Sequence, residues 1–179
     1  MNGAASPAGA DQLPLAVVLD TNVCLDLFLF ADPVVQGLTE QLRQQLFCAH
    51  YSEQTREEWR RVLDYRVWKL DHSRQTALQA AFDGLLHAHS ISDIPPAGSP
   101  LPQCRDPDDQ KFLQLALALS PSVLITKDRD LLKLARVCRR RHAIAIVTPS
   151  SWNDLDTSAM GALYTELRQR RDAIEKPGF

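Results

Sequence analysis

The stretch VVLDTNV (residues 17–23) decides the fold class of this chain, because a short apolar run ends there on a carboxylate. The run LAVVL (15–19) is long enough for one buried strand, and Asp20 follows it directly. Two small polar residues come next, and the apolar pattern that resumes over 21–30 is typical of a helix. Open α/β folds place their chemistry at the carboxyl ends of strands. The stretch therefore predicts a strand–turn–helix unit with Asp20 at a functional edge.

Three further apolar runs of strand length follow, and helical patterns separate them. The predicted strands are LFCAH (46–50), SVLIT (122–126) and AIAIV (143–147). Helices are predicted over 32–44, 52–63, 73–89, 106–120, 128–135 and 151–173. Strands that alternate with helices predict a parallel sheet with helices on both faces. We expect an α/β fold with about four to five strands.

Length and composition favour one folded domain with looser ends. The chain has 179 residues, of which 45% are hydrophobic, enough for a sizeable core. The first 14 residues are small and polar and are expected to form a flexible tail. We assign residues 15–150 to the α/β domain and 151–179 to a C-terminal helical extension. Residues 92–102 are rich in turn formers and predict a connection.

Charge and cysteine content exclude some classes of protein. The formal net charge is −2, so bulk charge does not indicate a nucleic-acid binder, although a local basic patch would suffice. The four cysteines form neither a C-x-x-C pair nor a zinc spacing, which predicts free thiols in a reducing compartment. No signal peptide and no apolar run of membrane-spanning length is visible. We expect a soluble, cytoplasmic protein without membrane association.

Acidic side chains occur at four places that a parallel sheet would bring to one edge. Asp128 follows the third strand as Asp20 follows the first. Asp109 lies at the start of the helix that returns to the third strand, and Glu58 lies early in the helix after the second strand. Carboxylates in one place repel each other and raise their own pKa values. Mg²⁺ and Mn²⁺ prefer such oxygen ligands, so the pattern predicts a divalent metal site.

These segments resemble the PIN domain, over about residues 16–150. The motifs that carry the resemblance are VVLDTNV, the glutamate in SEQTREEWRRVL, DPDDQKFLQLALA and LITKDRDLL, in this order. The bacterial toxins of toxin–antitoxin pairs are the most similar branch. The resemblance implies a parallel sheet between helices and cleavage of RNA, mostly single-stranded, with Mg²⁺ or Mn²⁺. It also implies an antitoxin partner and a homodimer, and leaves the number of metal ions open.

The resemblance implies a role for each matching residue. Metal ligands would be Asp20, Glu58, Asp109, Asp128 and Asp130, and the first four would be catalytic. Residues expected to support these ligands by hydrogen bonds are Thr21, Asn22 and Thr126, with Thr21 and Asn22 orienting Asp20. Neighbours that stay open as the actual ligands are Glu57, Asp106 and Asp108.

Each acid taken singly has a simpler explanation. Asp20 is an equally good helix N-cap, and Asp128 with Asp130 would suit a turn. Acids in the first turn of a helix are favourable charges there, and Glu58 alone would most often lie on a solvated face. These explanations are independent of one another, whereas a metal site predicts all four positions together. That concurrence favours the functional interpretation.

The sequence contains two other candidate binding features, a basic cluster and a set of histidines. The basic cluster RVCRRRH (136–142) is by default a solvated face, but Arg139, Arg140 and Arg141 would also suit RNA phosphates. The five histidines are predicted to be structural or exposed. His87 and His89 in particular would point in different directions from a helix, which makes them a poor metal pair.

Two rival functions remain beside a metal-dependent endoribonuclease. A phosphohydrolase of the haloacid dehalogenase type also has an Asp after its first strand, but it needs a second Asp where this chain has Asn22. Trapping of an acyl phosphate would identify it. A non-catalytic PIN-like module that binds RNA or protein is the other, and a metal-dependent cleavage assay would decide. The preferred hypothesis is the ribonuclease, acting as a toxin that an antitoxin restrains.

Overall fold

A computed structural model of the chain describes residues 15–90 and 100–176. In these ranges one sheet contains five parallel strands in the order β3-β2-β1-β4-β5. The strands are β1 (Leu15–Leu19), β2 (Phe47–Tyr51), β3 (His87–Ala88), β4 (Ser122–Ile125) and β5 (Ile144–Val147). The predicted α/β class with four to five strands is therefore confirmed. The expected N-terminal tail and most of the turn-rich connection lie outside the described residues.

The helices of the described residues connect these strands in the predicted alternation. They are α1 (Thr21–Cys24), α2 (Gln36–Arg43), α3 (Glu53–Leu63), α4 (His72–Leu85), α5 (Gln110–Ala118), α6 (Arg129–Lys133), α7 (Ala135–His142), α8 (Pro149–Asn153) and α9 (Thr157–Glu175). A π-helical turn (Leu25–Phe30) continues α1, and short 3₁₀ turns (Pro33–Val35, Arg66–Trp68, Pro107–Asp109) precede or follow other helices. None of the helices in the described ranges has the length and apolar character needed to cross a membrane.

Each face of the sheet has its own hydrophobic core, because side chains alternate along a strand. Val17 of β1 packs into a core that includes Trp59 and Phe82, on the side of α3 and α4. Val18, the next residue, packs into the second core with Phe112, on the side of α5 and α7. Both faces of the central strand are thus buried, as expected for a parallel sheet between helices.

Polar side chains define where the helices begin. Ser52 and Thr55 form a capping box at the start of α3, in which each side chain accepts a hydrogen bond from the other's backbone N–H. Asp32 accepts from the N–H of Val34 at 2.8 Å, with proline directly after it as predicted. These local signals mark helix starts, whereas the helix over 135–142 and the break that divides the helix predicted over 151–173 were not predicted.

The prediction of a helix over 73–89 is wrong at its end. Helix α4 stops at Leu85, and His87–Ala88 form β3, which pairs with the open edge of β2. This pairing provides hydrogen-bond partners for backbone N–H and C=O groups at the edge of β2 that would otherwise be unpaired. Because side chains two apart on a strand share a face, His87 and His89 lie on one side, with ring centroids 5.7 and 6.2 Å from that of His50. Burial, followed by the charges of these two histidines, lowers the pKa of His50 to about 4.

The C-terminal segment packs onto the same core. Trp152 of α8 is fully buried, and its ring lies edge-on to Phe47 with centroids 5.0 Å apart. Met160 and Leu167 of α9 are buried in the core that also contains Val17. Residues 151–176 therefore contribute to the packing that holds the sheet in place.

Candidate active site

Two acids lie at the carboxyl edge of neighbouring strands. Asp20 follows β1, and its N–H donates to the carbonyl of Ile125 at 3.0 Å, which ties it to the end of β4. Asp128 follows β4 after a short turn. Since β1 and β4 are adjacent and parallel, their ends bring Asp20 and Asp128 to the same rim. We call the side chains of Asp20, Glu58, Asp109 and Asp128 the acidic rim.

Asp20 is buried and held by two hydrogen bonds. Only 3% of the surface of Asp20 is exposed. Oδ2 accepts from the Thr126 hydroxyl at 2.7 Å, and Oδ1 accepts from the Asn22 backbone N–H at 3.3 Å. Burial raises the pKa of Asp20, the two hydrogen bonds oppose this, and the charges of Glu58 and Asp128 raise it further. Asp20 also serves as the N-cap of α1, so the capping and the rim interpretations are compatible.

The structure distinguishes Glu58 from Glu57. Glu57 is exposed, whereas Glu58 is half-buried and its Oε1 accepts from the Thr21 hydroxyl at 2.7 Å. Thr21 was expected to orient Asp20, but its hydroxyl orients Glu58 instead, because α1 packs against α3 at this point. The other oxygen, Oε2, forms an ion pair with the ammonium group of Lys111.

Among the three acids of the DPDD segment, Asp109 is the one that belongs to the rim. Asp106 caps the 3₁₀ turn by accepting from the Asp108 N–H at 2.9 Å, and both of these residues are exposed. Asp109 is half-buried. Burial raises its pKa to about 6, and the charges of Asp20, Asp128, Asp106 and Glu58 add to this.

Asp128 and Asp130 line the same small cleft as Asp106 and Asp109, but their bonding partners differ. Oδ1 of Asp128 accepts from the N–H groups of Asp130 and Leu131, both at 2.8 Å, so Asp128 caps α6 while its charge acts on Asp20 and Asp109. Asp130 pairs with Lys133 at 2.5 Å and with Arg105 at 3.6 Å. The Lys133 hydrogen bond lowers the pKa of Asp130. Asp130 is thus neutralised by partners outside the rim.

The donor set of the rim suits a hard divalent cation. It consists of carboxylate oxygens, which are the ligands that such cations prefer. Within residues 15–90 and 100–176, no group of three or more His, Cys, Asp or Glu side chains is arranged so that it could hold a metal ion. The residues of the rim that would supply carboxylate oxygens to a cation are Asp20, Glu58, Asp109 and Asp128.

Sequence reasoning missed two lysines at this edge. Lys111 pairs with Glu58, and Lys127 pairs with the buried carboxylate of Asp26 in the π-helical turn. Both lysines lie within the acidic motifs DPDDQKFLQLALA and LITKDRDLL, but the local sequence does not indicate which residues they pair with. Only the packing of α5 against α3, and the approach of Lys127 after β4 to Asp26 in the π-helical turn, brings the charges together.

The arginine cluster does not lie at the rim. Arg139, Arg140 and Arg141 occupy the last turn of α7, which leads into the start of β5. The starts of parallel strands form the edge of the sheet opposite to Asp20. Arg139 is also paired with Glu166 of α9. Contact of this cluster with RNA stays a prediction, and it would require RNA that extends beyond the rim.

An open cleft of about 800 Å³ lies beside Lys111, the ion-pair partner of Glu58. Its walls include Gln54, Leu101, Gln103, Cys104, Lys111 and Gln114. A smaller neighbouring cleft is lined by Glu57, Glu58, Arg61 and Lys111, among others. Lys111 thus faces both clefts, and a polymer that crosses the rim would meet amide groups and cations on this side.

We expect Asp109→Asn to stabilise the metal-free protein at neutral pH. Because the folded state raises the pKa of Asp109 from 3.8 to about 6, the folded state binds more protons than the unfolded state between these values. Wild-type stability therefore falls as pH rises through this window and carries the full penalty above it. Thermal melts at a series of pH values should show the variant's advantage at pH 7 disappear near pH 4. The exposed neighbour variant Asp108→Asn should melt like the wild type, and an equal gain there would contradict the assignment.

Comparison with known proteins identifies the family of the chain. The family model of the PIN domain matches residues 16–130, which include all four acids of the rim. No curated protein and no solved structure matches the chain. PIN domains are generally nucleases that use divalent metal ions. The match covers more than half of the 179 residues, and the chain therefore belongs to the PIN domain family.

Proposed function

We propose that this protein is a metal-dependent endoribonuclease that cleaves single-stranded RNA in the cytoplasm. The observation that carries the proposal is the acidic rim, where carboxylates from four separate segments of the chain converge. Burial, and then the charges of Asp20, Asp128 and Glu58, raise the pKa of Asp109 to about 6. Such mutual repulsion is unfavourable unless a cation compensates it. A bound Mg²⁺ or Mn²⁺ would lower the pKa of a water and neutralise phosphate charge.

The residues of the rim would bind and orient the reacting groups. Asp20 is fixed by Thr126 and by the Asn22 N–H, and Glu58 is fixed by Thr21. Carboxylates that are already fixed lose little conformational freedom when they bind a cation. This would favour a defined geometry for the attack of water on the phosphate. The scissile phosphate is itself an anion, so cations must accompany it to the rim. Arg61, which lines the smaller cleft, is a group that supports this role.

The biological role that we propose is that of a toxin restrained by an antitoxin. This finer proposal rests on the resemblance of the four motifs to the toxin branch of the family. The same resemblance supports a homodimer. An antitoxin would have to block the acidic rim or the cleft beside it, because these are the parts that the proposed reaction needs.

A cleavage assay on a mixed pool of single-stranded RNA tests the function. We expect cleavage with Mg²⁺ or Mn²⁺, none with chelator, and products with 5′-phosphate and 3′-hydroxyl ends. Glu58→Gln should reduce the rate by roughly a hundredfold or more, as expected for loss of a single electrostatic group at a reacting centre. Glu57→Gln is the matched control, one residue away on the same helix, and should cleave like the wild type.

Other outcomes of the same assay identify the rival functions. Products with 2′,3′-cyclic phosphate that form in chelator would refute the metal-dependent reaction. RNA that is bound but left intact under all metal conditions would indicate a binding module. Equal losses in Glu57→Gln and Glu58→Gln would remove Glu58 from the site.

A further inference from the structure

We propose that Lys111 is a resident counter-ion of Glu58, so that the acidic rim takes up one divalent ion rather than two. The inference deepens the proposed function and rests on it. Lys111 lies in α5 and Glu58 in α3, and the ammonium group is in contact with Oε2 of the carboxylate. Lys111 is thus a positioning residue, which acts on the reaction through Glu58 and through the charge of the rim.

The Lys111–Glu58 pair is shielded from solvent, unlike most ion pairs of the described residues. The two side chains are 14% and 15% exposed, whereas Lys133 in its pair with Asp130 is 70% exposed. Salt and water weaken an exposed pair far more than a shielded one. Lys111 therefore contributes a positive charge to the rim under ordinary solution conditions.

Three contacts hold the ammonium group of Lys111 in this position. Besides Glu58, it donates a hydrogen bond to the backbone carbonyl of Asp108, and it lies 5.2 Å from the ring centroid of Phe112. A cation over an aromatic face gains an additional attraction. The lysine is consequently bound in place rather than free to swing into solvent.

Glu58 has both of its oxygens engaged within the protein. Oε1 accepts from Thr21, and Oε2 faces Lys111. Within residues 15–90 and 100–176, Glu58 is the only carboxylate of the rim that has an ion-pair partner. Asp20, Asp109 and Asp128 remain as uncompensated charges, and one divalent ion reduces these three charges to a single one. A second ion would have to displace Lys111 from Glu58 or bind without that carboxylate.

The test counts the ions bound to the free protein, without RNA. Titration of the full chain with Mn²⁺, followed by calorimetry and by the electron paramagnetic resonance of free Mn²⁺, should give one ion per chain. Lys111→Met removes the ammonium group at similar length and should allow a second ion, with the first bound about tenfold more tightly. The metal-free variant should melt at a lower temperature, because a shielded carboxylate has lost its partner. Mn²⁺ should restore the melting temperature by more than it raises that of the wild type.

Control variants separate this role from a general effect of charge or of folding. Lys69→Met makes the same change in net charge at an exposed position after the 3₁₀ turn Arg66–Trp68, and it should keep one ion with affinity within about twofold of wild type. Lys111→Arg keeps the positive charge and should keep one ion. Should Lys111→Met fail to fold, Lys111→Gln takes its place, since its amide still donates to the Asp108 carbonyl.

Five results would count against the inference or against the function on which it rests. Two ions on the wild type would refute it, as would Lys111→Met with unchanged stoichiometry and affinity. A folded Lys111→Met that no longer binds Mn²⁺ would also refute it, because Lys111 would then be needed to present Glu58 to the ion. A wild type that binds no Mn²⁺ would instead refute the metal dependence of the proposed function. One bound ion without cleavage of RNA would refute the ribonuclease alone and leave the role of Lys111 standing.

Discussion

Replacing Asp20 by asparagine is expected to abolish metal-dependent cleavage and to leave the metal-free fold at least as stable as the wild type. Asparagine caps a helix nearly as well as aspartate, so the start of α1 should survive. Its amide oxygen and nitrogen are also able to hydrogen-bond to the Asn22 N–H and the Thr126 hydroxyl, which hold Asp20. What the change removes is the buried negative charge, and with it a central ligand. We expect the rate to fall by roughly two orders of magnitude or more.

The stability effect of Asp20→Asn has a defined pH dependence. Burial raises the folded-state pKa of Asp20 above 3.8. The folded state then holds its proton to higher pH than the unfolded state does, so wild-type stability decreases as pH rises through the raised pKa. The asparagine variant lacks this loss. Its advantage should be present at neutral pH and absent near pH 4.

Thermal melts with and without Mn²⁺, paired with cleavage assays on the same preparation, measure both effects. Mn²⁺ should raise the melting temperature of the wild type more than that of the variant, since only binding to the folded state stabilises it. Thr126→Val serves as a comparison that keeps the charge of Asp20, because it removes one hydrogen bond of Asp20 together with the acceptor of the Asp128 N–H. A variant Asp20→Asn that cleaves RNA normally, or shows the wild-type response to Mn²⁺, would mean that Asp20 ends its strand for structural reasons alone.

Replacing Trp59 by alanine is expected to lower the free energy of unfolding by about 3–5 kcal/mol, the usual cost of a large buried aromatic. Trp59 is 1% exposed and lies between two other rings. Its ring stacks on Phe82 with centroids 5.5 Å apart, and Phe28 approaches it at 5.7 Å. A loss of this size approaches the total stability of a small domain, which is commonly 5–15 kcal/mol.

The same change should impair the rim, because Trp59 is the next residue after Glu58. Trp59 anchors α3 to the core, and the rotation of α3 directs Glu58 toward Thr21. Cleavage by Trp59→Ala, measured well below its melting temperature, should therefore fall along with stability. Phenylalanine at this position should cost less, partly because the indole N–H of Trp59 is buried without a hydrogen-bond partner.

Urea unfolding, followed by circular dichroism, measures the stability loss. Trp68→Ala is the matched control, since Trp68 is only half-buried and its ring packs on the exposed Phe30. Its cost should be clearly smaller, although its indole N–H donates to the carbonyl of Val62 at 2.8 Å. Equal costs for the two tryptophans would contradict the central position assigned to Trp59.

The sequence by itself determined the fold class and the segments that build the site. Apolar runs such as LAVVL and SVLIT are strand-length, and the capping residues Ser52 and Asp32 mark helix starts locally. Both kinds of signal depend on neighbours within a few residues, so they can be seen without tertiary structure. The order of the four acidic motifs sufficed to identify the family, which the match over residues 16–130 confirms.

The sequence also contains part of the information that distinguishes Glu58 from Glu57. Thr55, Trp59 and Val62 are buried, and Glu58 lies three residues after Thr55 on the border of this stripe. Glu57 lies off that face. The helical period therefore favoured Glu58. The choice of Asp109 over Asp106 and Asp108 depended instead on a 3₁₀ turn, which hydrophobic periodicity does not predict.

Tertiary structure alone decided which groups meet. It turned the hydroxyl of Thr21 to Glu58 rather than Asp20, and it paired Lys111 with Glu58 from a distant part of the chain. It also brought His87 beside His50 by adding a fifth strand to an open edge, and it put the arginines of α7 at the edge of the sheet opposite to the rim. Such pairings depend on how rigid elements pack, because a charge acts through space over several ångströms regardless of sequence separation. Local patterns therefore determined the elements and their chemistry, and packing decided which of those charges face each other across the rim.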